Sequence, residues 1–235
     1  LAAEGGQTLA WEILECLGRN KEYSGIVSDG GGIGNLYIHV GGGALGTGMV
    51  HGLRRAVSGE LAATVGRGDT LAIDLPRMPT IHTVQAVGNG PLGRAYDRIR
   101  KLPDQSGGGG GGGGAVSRSD LLTSAASSKA DFMFPWADPH SVASGILDDE
   151  TYDWLALCDG LLETGGTAHH VEDPIIEEAK AFAMGELGVT VCHTGSAGFA
   201  GLLQHRGVGA SEAVDAAASG LAPDLVILSG LDRDA

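Results

Sequence analysis

Cysteine is scarce in this 235-residue sequence, which holds only Cys16, Cys158 and Cys192. The three are far apart, odd in number and without C-x-x-C spacing. That argues against a disulfide framework or a cysteine zinc site, and buried free thiols are expected. Basic residues are few as well: 15 Lys and Arg stand against 29 Asp and Glu, a net charge of -14 at pH 7. Such a balance argues against nucleic acid and anionic membranes as partners, although Arg54-Arg55 shows that a local cationic patch can exist. No apolar run approaches the ~20 residues that span a bilayer. No basic-then-apolar leader opens the sequence, so a cytoplasmic location is the default expectation. There is no initiator methionine either. The chain opens at Leu1 in what reads as an active-site segment, and a fragment is expected.

Glycine and apolar residues are plentiful, with 41 Gly and 43% hydrophobic residues, enough for one large domain or two small ones. The chain is organised around Asn35-Leu-Tyr-Ile-His-Val40, then Gly41-Gly-Gly-Ala-Leu-Gly-Thr-Gly48, then Met49-Val-His-Gly-Leu-Arg-Arg-Ala56. This reads as a buried strand, a glycine loop and a helix. Glycines let a backbone come close to a ligand, and a helix start offers unpaired N–H groups and partial positive charge, so a phosphate suits the loop. Gly41, Gly43 and Gly46 also fit the dinucleotide fingerprint G-x-G-x-x-G, which would make the chain an NAD(P)-binding oxidoreductase. That fingerprint needs an acid roughly 20 residues on, at a strand end. Glu60 sits at a helix end and Asp74 is somewhat far. A plain tight turn is the third reading.

Around this centre, residues 9–17 predict an amphipathic helix with Thr8 as N-cap, since Leu9, Ile13 and Leu17 are four apart. Residues 62–77 read as an irregular connection, 80–87 as a strand and 92–102 as a helix. The eight glycines at 107–114 cannot bury side chains and are expected to be disordered. Residues 118–131 read as polar and irregular. The acids Asp148-Asp-Glu150 read as a helix start. Residues 173–187 predict a helix capped by Asp173, 189–192 a short strand, 194–203 a small-residue helix able to come very close to its neighbours, and 210–219 a further helix. Residues 224–230 predict a buried final strand ending in Ser229-Gly230. Strands and helices alternate, so the class is α/β with a largely parallel sheet.

In this order the segments resemble the C-terminal two-thirds of fold-type II pyridoxal-phosphate enzymes, the tryptophan synthase β-like superfamily, most closely threonine synthase and threonine dehydratase. Glu4-Gly-Gly-Gln-Thr-Leu-Ala-Trp-Glu-Ile13 is similar to a threonine-synthase segment. Val40-Gly-Gly-Gly-Ala-Leu45 resembles the loop that holds the cofactor phosphate, and His140-Ser-Val-Ala-Ser-Gly-Ile146 a dehydratase stretch, with Ser144 where the family often has Asp. Thr194-Gly-Ser-Ala-Gly-Phe-Ala-Gly201 resembles the late small-residue helix, and Leu225-Val-Ile-Leu-Ser-Gly230 the strand whose Ser or Thr faces the cofactor's ring nitrogen.

The resemblance implies a three-layer α/β fold, the fold-type II large domain with remnants of the second domain. Residues 1–235 would then be the C-terminal portion of the catalytic domain, interrupted by the glycine-rich segment at about 105–118. It implies pyridoxal 5'-phosphate as cofactor, Gly41, Gly42, Gly43, Ala44 and Leu45 as phosphate cradle, and Ser229 at the ring nitrogen. A hydroxyl there, unlike a carboxylate, does not hold the ring protonated, which suits elimination or replacement at the β or γ carbon. The implied function is a lyase or synthase on a small amino-acid substrate, with homodimer pairing. The family places its Schiff-base lysine upstream of Glu4, so no catalytic lysine is assigned, and the chain alone is expected to be inactive. Lys129, in Ser127-Ser-Lys-Ala130, mimics the motif in the wrong place.

Other residues are weighed on their own. Glu163-Thr-Gly-Gly166 could line a cleft, and Gln85 and Asn89 could touch substrate. His169-His170 and His193 could serve metal or base chemistry, but ordinary exposed histidines are the favoured reading, and no metal site is assigned.

Overall fold

The computed structural model describes residues 2–19, 32–60, 75–102, 116–215 and 222–232. The glycine run 107–114, Lys21 and Asp74 lie outside the described residues. Helix α1 spans Ala2–Arg19, strand β1 Asn35–His39, α2 Ala44–Val57, β2 Thr80–Ala86 and α3 Pro91–Arg100. Then come α4 Arg118–Ser127, α5 Lys129–Phe132, a 3-10 turn at Ser144–Ile146, α6 Trp154–Thr164 and β3 Thr167–Val171. The chain continues through α7 Asp173–Gly185, α8 His193–Arg206, α9 Ala210–Asp215 and β4 Leu225–Val226.

The described strands form one parallel sheet in the order β3-β2-β1-β4, with Leu36 opposite Ile81 and Leu225. Successive side chains of a strand face opposite sides. Leu36, Ile38 and Ile81 enter a core with Met49 and Leu53 of α2 and Leu157 of α6. Tyr37 and Val84 enter a second core on the other side, with Ile176 of α7 and Ala197 and Leu203 of α8. Helices therefore cover both faces, and the fold is the three-layer α/β arrangement with a parallel sheet. Burying a Leu or Ile side chain contributes about 1.5–3 kcal/mol. The two apolar faces of β1 and β2 thus account for why a sheet forms between two helical layers.

Helix α8 shows why its sequence is so poor in bulk. A Cβ at Gly198 would lie 3.0 Å from the Ile227 carbonyl oxygen and 3.2 Å from that of Tyr37. The helix lies directly on the sheet backbone, as the small-residue run predicts.

Several local expectations are corrected. Thr8 lies inside α1, its hydroxyl donating to Gly5 O at 2.8 Å, so it is no N-cap. Residues 118–132 are mostly helical; Ser117 Oγ accepts from Asp120 N at 3.1 Å and starts α4. The predicted strand at 189–192 is a coil, with Gly188 at φ 65 before it. The edge strand is instead Thr167–Val171, pairing with β2. Asp173 does not cap α7 but accepts from Ser141 Oγ at 2.5 Å and Val142 N at 3.2 Å. All three cysteines are free, but Cys16 is exposed and only Cys158 is buried.

Candidate functional site

The strand order reverses between β1 and β4. In an open parallel sheet, ligands bind in the crevice outside the carboxyl ends of the strands at such a reversal. β1 leads there into Gly41-Gly42-Gly43, and the chain after β4 leads there into Ser229-Gly230. Ser229 Oγ lies 2.9 Å from Nε2 of His39, two residues before Gly41. The structure thus brings the serine and the glycine loop, far apart in sequence, to one end of the sheet.

Gly43 is the N-cap of α2 at φ 102, a left-handed conformation that favours glycine. It supplies no side-chain cap, and the first turn holds no acid. Ala44 and Leu45 open the helix. Among the described residues, nothing accepts a hydrogen bond from the backbone amides of 41–46. Unpaired first-turn N–H groups at the positive end of a helix make an anion seat.

Residues 146–153 close over this loop. Thr151 Oγ1 donates to Gly41 O at 3.0 Å, and Asp153 N donates to Gly42 O at 3.2 Å. A Cβ on Gly41 would overlap the Asp148 carboxylate, and one on Gly42 would meet the Tyr152 ring at 3.0 Å. The glycines therefore serve contact with this segment as well as an open amide face. Asp148, Asp149 and Glu150 are not a helix start: α6 begins at Trp154 with no acid in its first turn.

His39 is buried, and burial pushes its pKa down to about 4, against an opposing pull from the Ile227 carbonyl. It stays neutral near pH 7. A serine hydroxyl has one proton and two lone pairs, so its pairing with His39 leaves Ser229 capacity for a further partner. Sequence reasoning passed over His39. The signal was Leu-Tyr-Ile-His, which puts a polar side chain on the inward face of an apolar strand.

Other candidates are structural. Gln85 Oε1 accepts from Leu92 N at 2.9 Å and Gly93 N at 3.3 Å, capping α3 from the neighbouring strand. Its amide donates to Val40 O at 3.3 Å. Asn89 Nδ2 donates to Ile146 O at 3.1 Å and Asp148 O at 2.9 Å, which holds the covering segment in place. Both side chains are buried; Gln85 is spent on these backbone groups and Thr151 Oγ1, and Asn89 spends its amide donors on the backbone while its Oδ1 has no partner among the described residues. Glu163 bonds Arg54 at 2.7 Å, and Thr164 Oγ1 accepts from Ile81 N at 3.0 Å. This places Glu163-Thr-Gly-Gly166 at the amino end of β2, opposite the glycine loop. His169 is buried and His170 half-buried, so the expectation of exposed histidines is overturned there. Lys129 pairs with Glu150 at 3.3 Å and is 60% exposed; Lys180 pairs with Asp232 at 2.5 Å.

Glu60 pairs with Arg55 at 3.5 Å just past α2, not at a strand end. β2, the next described strand, ends in Val84-Gln85-Ala86 and carries no acid. The dinucleotide reading therefore lacks its ribose partner among the described residues.

No family model matches the chain, and neither does any curated protein. Solved structures do match. A threonine deaminase from T.th. is 16% identical with a TM-score of 0.56, over 98% of this chain and 57% of that one. Maize serine racemase is 15% identical with a TM-score of 0.52, over 99% and 50%. A pyridoxal 5'-phosphate-dependent aspartate racemase is 14% identical with a TM-score of 0.51, over 98% and 49%. This chain has their fold. It spans about half of each of these structures.

Proposed function

We propose that this chain forms the cofactor seat of a pyridoxal 5'-phosphate-dependent enzyme of the lyase or racemase kind, acting on small amino acids. The observation that carries this reading is the uncapped amide run 41–46 at the strand reversal, with Ser229 on the same crevice. The residues fit the group: the amides of Gly41, Gly42, Gly43, Ala44 and Leu45 would hold the phosphate, and the Ser229 hydroxyl the ring nitrogen. Bound there, the cofactor would supply an electron sink for a bond broken at the substrate's α carbon. His39 orients Ser229 and, being neutral, adds no charge beside the ring. A hydroxyl partner leaves the sink moderate, which favours elimination over transamination. The motif at Glu4–Ile13 supports the threonine synthase and threonine dehydratase group within that kind. Among the described lysines, Lys129 and Lys180 are paired with carboxylates and Lys101 ends α3. The lysine that anchors the cofactor is therefore expected in a segment other than these, and this chain alone is expected to show no turnover.

Binding, not turnover, tests the seat. Equilibrium dialysis should show pyridoxal 5'-phosphate binding at least tenfold tighter than pyridoxal, about 1.4 kcal/mol. Gly42→Val should erase that preference. Its side chain would press on Tyr152, which is 68% exposed and free to swing away, so the fold survives. Equal affinity for the two compounds, or an unchanged preference in Gly42→Val, would refute the seat.

A further inference from the structure

Three histidines converge where no chemistry has yet been assigned. His82 of β2 and His169 of β3 point to the sheet face that carries α8, and His205 comes down from that helix's last turn. His82 Nδ1 lies 3.1 Å from His169 Nε2, and one ring nitrogen of each histidine lies within 4.8 Å of the others. We propose that His82, His169 and His205 bind one divalent late transition metal ion of the zinc class, with solvent completing a tetrahedral shell.

The geometry is close to what such an ion requires. Zinc–nitrogen bonds of about 2.0–2.1 Å in a tetrahedron put ligand nitrogens about 3.3 Å apart. The His82–His169 pair is already there. The widest separation has to close by no more than about 1.5 Å. His205, the exposed member, can supply that movement and leaves an entry path from solvent.

The surroundings orient two of the three rings. Asp224 Oδ1 accepts from Asn35 Nδ2 at 2.7 Å, which fixes the amide so that Asn35 Oδ1 faces His82 Nε2 at 3.2 Å. That carbonyl can only accept, so the His82 proton sits on Nε2 and the Nδ1 lone pair faces His169. Tyr37 OH lies 2.7 Å from His205 Nδ1, leaving Nε2 of that ring for a metal. A ligating imidazole whose far nitrogen is held by an outer partner is the usual architecture of a histidine metal site. A core that needed only apolar filling would not bring together three imidazoles with an amide and a carboxylate behind them. Imidazole nitrogen suits zinc, copper and nickel over magnesium or calcium.

Zinc added to the metal-free chain, in competition with a chromophoric chelator, tests this directly. One equivalent should bind, and it should raise the melting temperature. His205→Ala, a change at an exposed side chain, should weaken binding at least tenfold and abolish the thermal shift. Asn35→Ala should weaken it by about 10–100-fold through loss of the orienting partner. His51→Ala, outside the cluster, should change nothing. Failure to bind one equivalent, or equal affinity in His205→Ala, overturns the assignment.

Discussion

A methyl group at Gly195 sets two effects of known sign against each other. In Gly195→Ala the new Cβ would fall inside the van der Waals shell of the Ser229 carbonyl oxygen. The neighbour is main chain, stitched to the same helix by Ser229 N donating to Gly195 O at 3.4 Å and Cys192 N to Gly230 O at 3.0 Å. It cannot swing aside as a side chain would. Replacing Gly by Ala in a helix gains at most about 1 kcal/mol. Overpacking a tight contact costs about 1–3 kcal/mol, and a backbone neighbour puts this case at the upper end. The clash should win by about 1–2 kcal/mol. At a urea slope of about 1–3 kcal/mol per molar, the midpoint should fall by about 0.3–2 M. Unfolding followed by tryptophan fluorescence measures it. Gly185→Ala is the internal standard: nothing lies within 4 Å of its Cβ, so it should match the parent or gain up to about 1 kcal/mol. A Gly195→Ala midpoint at or above the parent's would refute the reasoning, because α8 would then not sit hard against the strand-end backbone.

Two further outcomes follow from the same end of the sheet. His39 is held near 4 when folded, against its ordinary 6.5, so between those values the unfolded chain binds a proton that the native one does not. Stability should therefore fall as pH drops from about 6.5 toward 4, by up to about 3 kcal/mol from this residue. His39→Gln should flatten that part of the acid unfolding profile, and parallel profiles would contradict it. Gln85→Leu should cost more than about 2 kcal/mol in urea unfolding, since the Leu92 and Gly93 amides lose their buried acceptor. A loss under about 1 kcal/mol would show that the start of α3 finds another cap.

Where local chemistry decided the structure, the sequence was sufficient. Glycines at 41–43 after an apolar strand marked the loop, and small residues at 195, 198 and 201 marked a helix that touches the sheet. Where tertiary contact decided it, the sequence misled. Thr167-Ala-His-His-Val171 drew no strand reading and its histidines were expected to be exposed, yet His170 stands beside the start of α3 while His169 and Val171 turn inward. Asp148-Asp-Glu150 looked like a helix start because acids favour that position, yet Asn89 holds the segment across the glycine loop instead. Gln85 and Asn89 looked like ligand groups since amides at a strand end often are. Their partners are backbone groups that no local pattern identifies. The histidine cluster was invisible for the same reason: its members stand 87 and 36 residues apart and meet only once β2, β3 and α8 are in place.

Ser229 and the histidine cluster lie at opposite ends of one helix. Gly195, near the start of α8, holds the Ser229 backbone; His205, near its end, stands over His82 and His169. Ten residues of helix separate them, about 15 Å at 1.5 Å per residue. A metal at the histidines would therefore not touch a ligand at Ser229. What it could do is fix the far end of the element on which Ser229 rests, adding a tie between α8 and β2 and β3 to the tilted ring contact of His205 with His82 and the Gln204 Nε2 hydrogen bond to His170 O at 2.9 Å. The amino end needs no such tie, because backbone hydrogen bonds already fasten it to residues 229–230. The two sites are separable by experiment: loss of zinc binding in His205→Ala leaves the phosphate preference of the glycine loop intact, and loss of that preference in Gly42→Val leaves zinc binding intact.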